Sequence, residues 1–335
     1  MPPKNPPISV VIATRDRGAS VVDTVDSILE TADVASGKNG ANAALVFEIL
    51  VIDQSANEVC MQAMQKYTCD PRVRYQHSST VGMARARNIA IAQTHSNIIA
   101  ITDDDCTVAE DWLISIQNAF LTHSNLAILF GNVLPAEHDG SAGFIPSYCR
   151  QQPRTVSGPL SKNDVDGLGA CMSLRKDVWR EFYGFDEMLG VGGKLKSSSE
   201  GDLVIRALHR GYEVCETPTV RVVHHGFRTW AEGERLIARY WYGTGAMFGK
   251  HLKLHPVSTV FILGLLGWRW AFGKSRVADS LGPNMRKRER LMAFISGLGA
   301  GLWLKVNRKT GHFQTEQPDK QTWFKRIQQS VIKRC

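Results

Sequence analysis

The chain has 335 residues, 43% of them hydrophobic and 21% charged. That composition excludes a disordered chain and leaves room for one large α/β domain with an appendage, or for two modest domains. The formal net charge of +8 is uneven: residues 1–227 carry roughly 20 cations and 26 anions, residues 228–335 roughly 20 and 6. Such an excess at one end points to an anionic partner, either a membrane surface or nucleic acid. The seven cysteines are scattered, odd in number and free of any C-x-x-C pair. They argue against a disulfide framework or a zinc site, and for a reducing compartment. The opening Met-Pro-Pro-Lys-Asn-Pro-Pro lacks the apolar stretch of a secretory signal. The longest apolar run, residues 256–268, is shorter than the ~20 residues that span a bilayer. The expected location is the cytoplasm, with room for peripheral contact at the inner face of the cytoplasmic membrane.

Residues 8–13 form a continuous apolar run that predicts a buried parallel strand. A loop at residues 14–18 and a helical pattern over 20–29 follow. Residues 47–52 predict a second buried strand ending on Asp53, residues 59–67 a helix, and 73–75 a short strand. A helix over 82–92 opens on Gly82, and the strand predicted at 98–102 runs into Asp103-Asp104-Asp105. Alternation of this kind predicts a parallel sheet with helices on both faces. Ligands in such sheets sit at the carboxyl ends of strands, which is where Thr14, Asp53 and Asp103 fall. Later segments are mixed: strands at 126–133, 169–174 and 214–223, a polar surface stretch at 141–164, and a helix at 203–210 that Gly211 stops.

Three adjacent carboxylates at a strand end repel one another unless a positive charge sits among them. A divalent ion held by Asp103 and Asp105, completed by diphosphate oxygens, relieves that repulsion, and Mn²⁺ or Mg²⁺ suits it. No G-x-G-x-x-G follows the first strand and no G-x-x-x-x-G-K-[ST] occurs, which disfavours a dinucleotide-binding dehydrogenase and a P-loop enzyme. A nucleotide held through a metal remains.

Val10-Val11-Ile12-Ala13-Thr14-Arg15-Asp16-Arg17, Ile49-Leu50-Val51-Ile52-Asp53, Gly82-Met83-Ala84-Arg85-Ala86-Arg87-Asn88 and Ile101-Thr102-Asp103-Asp104-Asp105 follow one another in order. So do Gly184-Phe185-Asp186-Glu187, Ser199-Glu200-Gly201-Asp202-Leu203 and His224-His225-Gly226. This ordered set resembles the family 2 glycosyltransferases of the GT-A fold over about residues 8–227. The resemblance implies a GT-A nucleotide-diphospho-sugar transferase fold, with residues 8–112 as the nucleotide-binding half and 113–227 as the acceptor-side half. Residues 1–7 are expected to be disordered, and 228–335 to form a helical, basic extension.

The resemblance also implies roles. Thr14 and Arg15 match the loop beside the base and ribose, and Asp53 the carboxylate that bonds the base. Arg85 and Arg87 lie in a segment of positive groups near the nucleotide; a guanidinium suits a diphosphate. Asp103 matches the residue touching the ribose and Asp105 the principal metal ligand, with Asp104 between them at the nucleotide. An acceptor hydroxyl needs a base. Ser199-Glu200 stands where the family has an acidic pair, so Glu200 is the base by register and Asp202 its rival. His224 and His225 close a strand and point to opposite faces, so only one of the two can face the site, as a metal ligand or as a donor to the departing phosphate. Trp112, Trp179 and Trp230 are candidate sugar platforms as well as core residues.

The reaction implied is inverting transfer from a nucleotide-diphospho-sugar, a UDP-sugar first, to a glycan or lipid-linked acceptor in polysaccharide synthesis. Trp268-Arg269-Trp270 and Arg286-Lys287-Arg288-Glu289-Arg290 flank apolar runs and suit a helix lying in a membrane interface, or equally one packed on the catalytic domain. Other readings are a nucleotidyltransferase, whose basic Gly-rich loop is missing at residues 14–18, and an inactive transferase fold, since Ser199 breaks the acidic pair. A nucleic-acid-binding protein is a third, but no nucleic-acid motif is present and no such partner is expected.

Overall fold

A computed structural model describes residues 7–37, 47–272 and 287–314; residues 1–6, expected to be disordered, lie outside it, as does part of the basic tail. Its centre is a sheet whose first four strands are β1 (Ile8–Thr14), β2 (Phe47–Asp53), β3 (Val73–His77) and β4 (Ile98–Asp103). They lie in the order β3-β2-β1-β4, all parallel. Side chains alternate between faces along a strand, and here both faces are apolar. Val10, Ile49, Val51 and Ala100 enter one core, against Val21, Val25 and Ile28 of α1 (Gly18–Gly37) and Trp112 and Ile116 of α4 (Trp112–Thr122). Val11, Leu50, Ile99 and Ile101 enter the other. There they meet Ala84, Ala90 and Ile91 of α3 (Met83–Gln93), Trp179 of α5 (Lys176–Glu181) and Leu203 of α6 (Ser199–His209). A small α2 (Val59–Met64) caps the edge.

Beyond β4 the sheet departs from the expected parallel order. The strand expected at 169–174 is β9 (Cys171–Arg175), which runs antiparallel to both β4 and β6 (Leu126–Pro135). Next to β6 lies the long β10 (Glu213–His224), parallel to it. The short β5 (Cys106–Val108) closes the far edge against β10, antiparallel. Buried strands on both sides of β9 read as continuous apolar runs whatever their direction, so hydropathy alone did not reveal the reversal.

The stretch expected to be polar surface holds β7 (Gly143–Phe144), β8 (Arg154–Ser157) and a 3-10 turn at Pro159–Asp164. β7 pairs with β11 (Arg228–Thr229), and β8 with β10.

The C-terminal helices share a core with residues 188–205 of the sheet-bearing part of the chain. α7 (Trp230–Leu254) starts on a capping box between Thr229 and Glu232, which satisfies two orphan donors reciprocally. α8 (Pro256–Phe272) opens on proline, whose missing N–H is harmless at that position. α9 (Lys287–Trp303) lies against α7 at backbone contact: a Cβ on Gly297 would meet the Tyr242 carbonyl, and one on Gly301 that of Ala246. Ile262, Met247, Phe248, Leu189 and Leu195 pack together under these helices. A hairpin of β12 (Val306–Asn307) and β13 (His312–Phe313) returns to bury Phe313. Among the described residues no helix is long and apolar enough to cross a membrane.

Candidate functional site

β1 lies between β2 and β4, and the chain leaves the sheet in different directions from their carboxyl ends. Registers of Thr14 with Asp53 and of Ala13 with Asp103 bring the three strand ends together. Thr14 is buried and donates to Asp104 Oδ2 at 2.7 Å, so it orients a carboxylate. Arg15 is exposed beside Asp16. Asp53 is fully buried: Oδ1 accepts the Ser55 amide at 2.8 Å and Oδ2 the Tyr75 hydroxyl at 2.7 Å.

The three aspartates separate in environment. Burial pushes Asp104 up to about 6, against its bond from Thr14 and the charge of Arg17. Burial also opposes ionisation of Asp105, but the imidazole of His224 and the guanidinium of Arg17 outweigh it and hold that carboxyl at about 2. Arg17 reaches both, 3.2 Å from Asp104 Oδ1 and in direct contact with Asp105. Its charge takes up the repulsion that the sequence assigned to a metal, and nothing in the spacing of residues 14–18 signalled that role.

His224 is the inward histidine. Its Nε2 lies 3.2 Å from Asp105 Oδ1 and its Nδ1 donates to the Pro146 carbonyl at 2.8 Å. His225 faces the other way, exposed, with Nε2 3.1 Å from Thr107 Oγ1, which removes it from the metal candidates.

The residues fit a divalent ion. An imidazole that gives its other N–H to a carbonyl is fixed in the tautomer a metal needs. A Cβ at Gly226 would lie 2.6 Å from both Asp105 Oδ2 and His224 Nε2, so the glycine keeps the space between the two donors open. Cys106 Sγ completes a three-donor cluster. Burial drives its thiol well above the ordinary range, and hard cations prefer oxygen and nitrogen, which leaves Asp105 and His224 as the two donors of this cluster that could hold such an ion.

Arg87 is the pivot of the site. Its guanidinium, 1% exposed, contacts Glu200 directly and donates to Asp103 Oδ1 at 3.0 Å. The sequence placed it at a diphosphate; here its charge is held by two carboxylates. Arg85 pairs with Glu187 at 3.0 Å. Glu200 accepts Ser199 Oγ at 2.9 Å on its other oxygen. Burial works against the charge on Glu200, yet Arg87 keeps its carboxyl below the ordinary range. A Cβ at Gly169 would lie 2.5 Å from Glu200 Oε1, which is why the chain before β9 needs glycine there. α6 begins earlier than residue 203, at Ser199, and the left-handed Ser198 (φ 71°) turns Glu200 toward Arg87.

Asp202 does not reach this site. Its carboxylate is fully buried among Lys250 Nζ at 2.7 Å, His251 Nε2 at 2.8 Å and Arg206 at 2.9 Å. Ringed by three basic side chains, it has no face for an acceptor. Trp112 and Trp179 are also core residues rather than platforms, with Trp179 Nε1 donating to Asn88 Oδ1. Trp230 stacks on Phe144 with ring centroids 5.4 Å apart.

From Glu200 a cleft of about 860 Å³ opens between residues 164–169, the 190–193 turn and α7, with Tyr240, Trp241 and Met247 on its wall. Two sub-sites therefore meet at Arg87: strand-end carboxylates on one side, a roomy cleft on the other.

A family model described as glycosyl transferase family 2 matches residues 9–178, slightly more than half of the chain. A glucosyl-dolichyl phosphate glucuronosyltransferase of Haloferax volcanii is 23% identical over 251 residues, covering 70% of this chain and 75% of that one. Two other curated relatives are much longer, and the chain spans 24% and 18% of their lengths. Among solved structures, S. aureus TarS 1–349 superposes with a TM-score of 0.58 at 14% identity, over 87% of this chain and 81% of that one. A mannosyltransferase of Pyrobaculum calidifontis, solved with GDP-Man and Mn²⁺, gives 0.54 at 16%, over 90% and 88%. The likeness of architecture makes the fold GT-A.

Proposed function

The chain belongs to glycosyl transferase family 2, and from that premise we propose that it is a glycosyltransferase that moves a sugar from a nucleotide-diphospho-sugar to an acceptor hydroxyl with inversion. The observation that carries this reading is the Arg87 bridge, one buried guanidinium joining Asp103 at the strand ends to Glu200 at the head of the cleft. It sets Asp103, the proposed ribose contact, and Glu200, the proposed base, within one side chain of each other. A UDP-sugar is the first donor to test; similar structures have been solved with UDP-GlcNAc and with GDP-Man. Asp53, in its buried frame of Ser55 and Tyr75, is the proposed contact for the base, with Thr14 and Arg15 beside it and Asp103 at the ribose.

Asp105 and His224 would hold the divalent ion. A mixed carboxylate and imidazole pair suits Mn²⁺ better than Mg²⁺, which prefers oxygen alone. When bound, the ion offsets charge on the departing diphosphate. Glu200, already a carboxylate beside Arg87, takes the acceptor proton as the oxygen attacks the anomeric carbon. Attack and departure on opposite faces invert the centre. The cleft beyond Glu200 receives the acceptor, a glycan or a lipid-linked sugar of the kind polysaccharide synthesis extends. We propose the cytoplasm as the place of reaction, on the scattered cysteines of the sequence, which form no C-x-x-C pair.

The test is a donor screen with Mn²⁺ and Mg²⁺ that follows hydrolysis and transfer from UDP-, GDP- and dTDP-sugars. Metal-dependent turnover is expected, and Asp105→Ala should abolish it. Glu200→Gln should lower kcat by about 10²–10⁴-fold with little change in donor KM. Turnover unchanged in Asp105→Ala would sink the site assignment.

A further inference from the structure

α8 and α9 each turn one side to the shared core and the other to solvent. On α8 the outward residues are Val257, Val260, Phe261, Leu265 and Trp268, spaced as one helical face, with Val257 72% and Trp268 65% exposed. On α9 they are Leu291, Met292, Ile295, Leu302 and Trp303, the last 89% exposed. Soluble monomers rarely leave such contiguous apolar faces open. Charge is equally one-sided. Among the described residues from α8 onward, besides Arg269, which pairs with Asp164, stand six Lys or Arg (287, 288, 290, 305, 308 and 309) against one carboxylate, Glu289. Lys287, Arg288 and Arg290 cluster at the start of α9. Beyond its end, Lys305 and Arg308 line a hollow of about 560 Å³ beside Trp303.

We propose that these two faces dock on an anionic lipid bilayer, lying in its interface without crossing it. Apolar faces with tryptophan and cations at their ends match a surface of acyl chains beneath negative headgroups. A second copy of the chain is a poorer occupant, because a two-fold contact through the same faces would set like charges against each other. α8 supplies Leu266 and Arg269 to the lining of the cleft that starts at Glu200, and there Arg269 pairs with Asp164 of the neighbouring 3-10 turn. A single helix thus serves as cleft wall within and bilayer contact without, which identifies the acceptor class as lipid-linked. That consequence for the acceptor rests on the proposed transfer; the docking does not.

Co-sedimentation of the full chain with vesicles tests it. Binding to phosphatidylcholine vesicles containing phosphatidylglycerol is expected, weak binding to phosphatidylcholine alone, and loss in high salt. Lys287→Gln with Arg288→Gln should cost about fivefold in vesicle affinity per charge removed. The pairs Phe261→Ser with Trp268→Ser, and Ile295→Ser with Trp303→Ser, should each cost about tenfold or more. All these side chains are exposed, so melting temperature and metal-dependent donor hydrolysis should stay as in the parent, which separates failed docking from a failed transferase reading. Docking is overturned if the parent does not bind phosphatidylglycerol vesicles, or if the serine variants bind them equally. A concentration-dependent dimer that the serine variants dissolve would overturn it in favour of a second copy.

Discussion

Gly226 shows how much of the site turns on single atoms. The 2.6 Å that separates its would-be Cβ from both Asp105 Oδ2 and His224 Nε2 is shorter than any tolerated contact. Gly226→Ala should therefore lower Mn²⁺ affinity by about 10–100-fold, the usual cost of disturbing the surroundings of metal ligands. Calorimetric titration of the metal-free chain reads this directly, and an alanine variant that binds like the parent would remove Asp105 and His224 as the pair. Asp53, Asp103 and Asp105 were legible in the sequence because an apolar run ending on an acid declares itself locally. Gly226 and Arg17 were not, because their roles come from contacts across the fold: Arg17 meets carboxylates some ninety positions away, at Asp104 and Asp105. Asp202 misled for the same reason. As the first acid of a helix it reads as a favourable N-terminal charge or a base, and only Lys250 and His251, on another helix, disclose the buried network.

At the scale of elements, α7 and α9 meet along glycines. Gly245 and Gly249 on one face Gly297 and Gly301 on the other, and a Cβ on Gly245 would stand 2.0 Å from the Phe294 carbonyl. The partner atoms are backbone, which cannot swing aside as a flexible side chain can. Gly297→Ala must force the helices apart, and overpacking of this kind costs about 1–3 kcal/mol. A lowered denaturation midpoint for Gly297→Ala, with Gly299→Ala near the parent because Gly299 faces open space, is the expected pattern; equal midpoints would show that the contact yields. Strand and helix positions in residues 8–103 followed largely from hydropathy, since β1, β2 and β4 are buried runs and each helix has a turn signal before it. Direction did not follow. β9 is inserted between β4 and β6 and runs against both, and neither insertion order nor direction is recorded in a local window of sequence.

Across the whole molecule, three distant stretches are pinned by one buried charge cluster. Lys250 of α7 bridges Asp186 at 2.8 Å and Asp202 of α6 at 2.7 Å, and Asp186 also accepts the Phe313 amide of the C-terminal hairpin. The helix that presents Glu200 is therefore held by residues from the C-terminal extension. His251 sits in this cluster facing Asp202, Lys250 and Arg206, with His255 stacked 6.3 Å away. Its Nε2 bonds Asp202, while Nδ1 is buried without a partner. Burial holds this imidazole at about 4 in spite of Asp202. The unfolded chain binds its proton near 6.5, so it takes up the proton first as pH falls. The contribution of His251 is complete above pH 6.5 and is lost as pH drops toward 4, on the order of 3 kcal/mol in all. Asp202, held well below its ordinary range by Lys250 and Arg206 against the opposing effect of burial, adds a second loss below pH 4. His251→Gln should remove the His251 share of the response between pH 6.5 and 4 from the denaturant profile, leaving the like-signed loss from His209, which burial holds at about 4, the opposite gain from Asp104, which burial raises to about 6, and the acid limb. Asp202→Asn should behave differently, destabilising at pH 7 by about 3–5 kcal/mol because Lys250 and Arg206 lose their shared counter-charge. Parallel stability profiles for the parent and His251→Gln between pH 6.5 and 4 would mean that His251 is not held neutral, and the cluster would then be fastened by ion pairs alone.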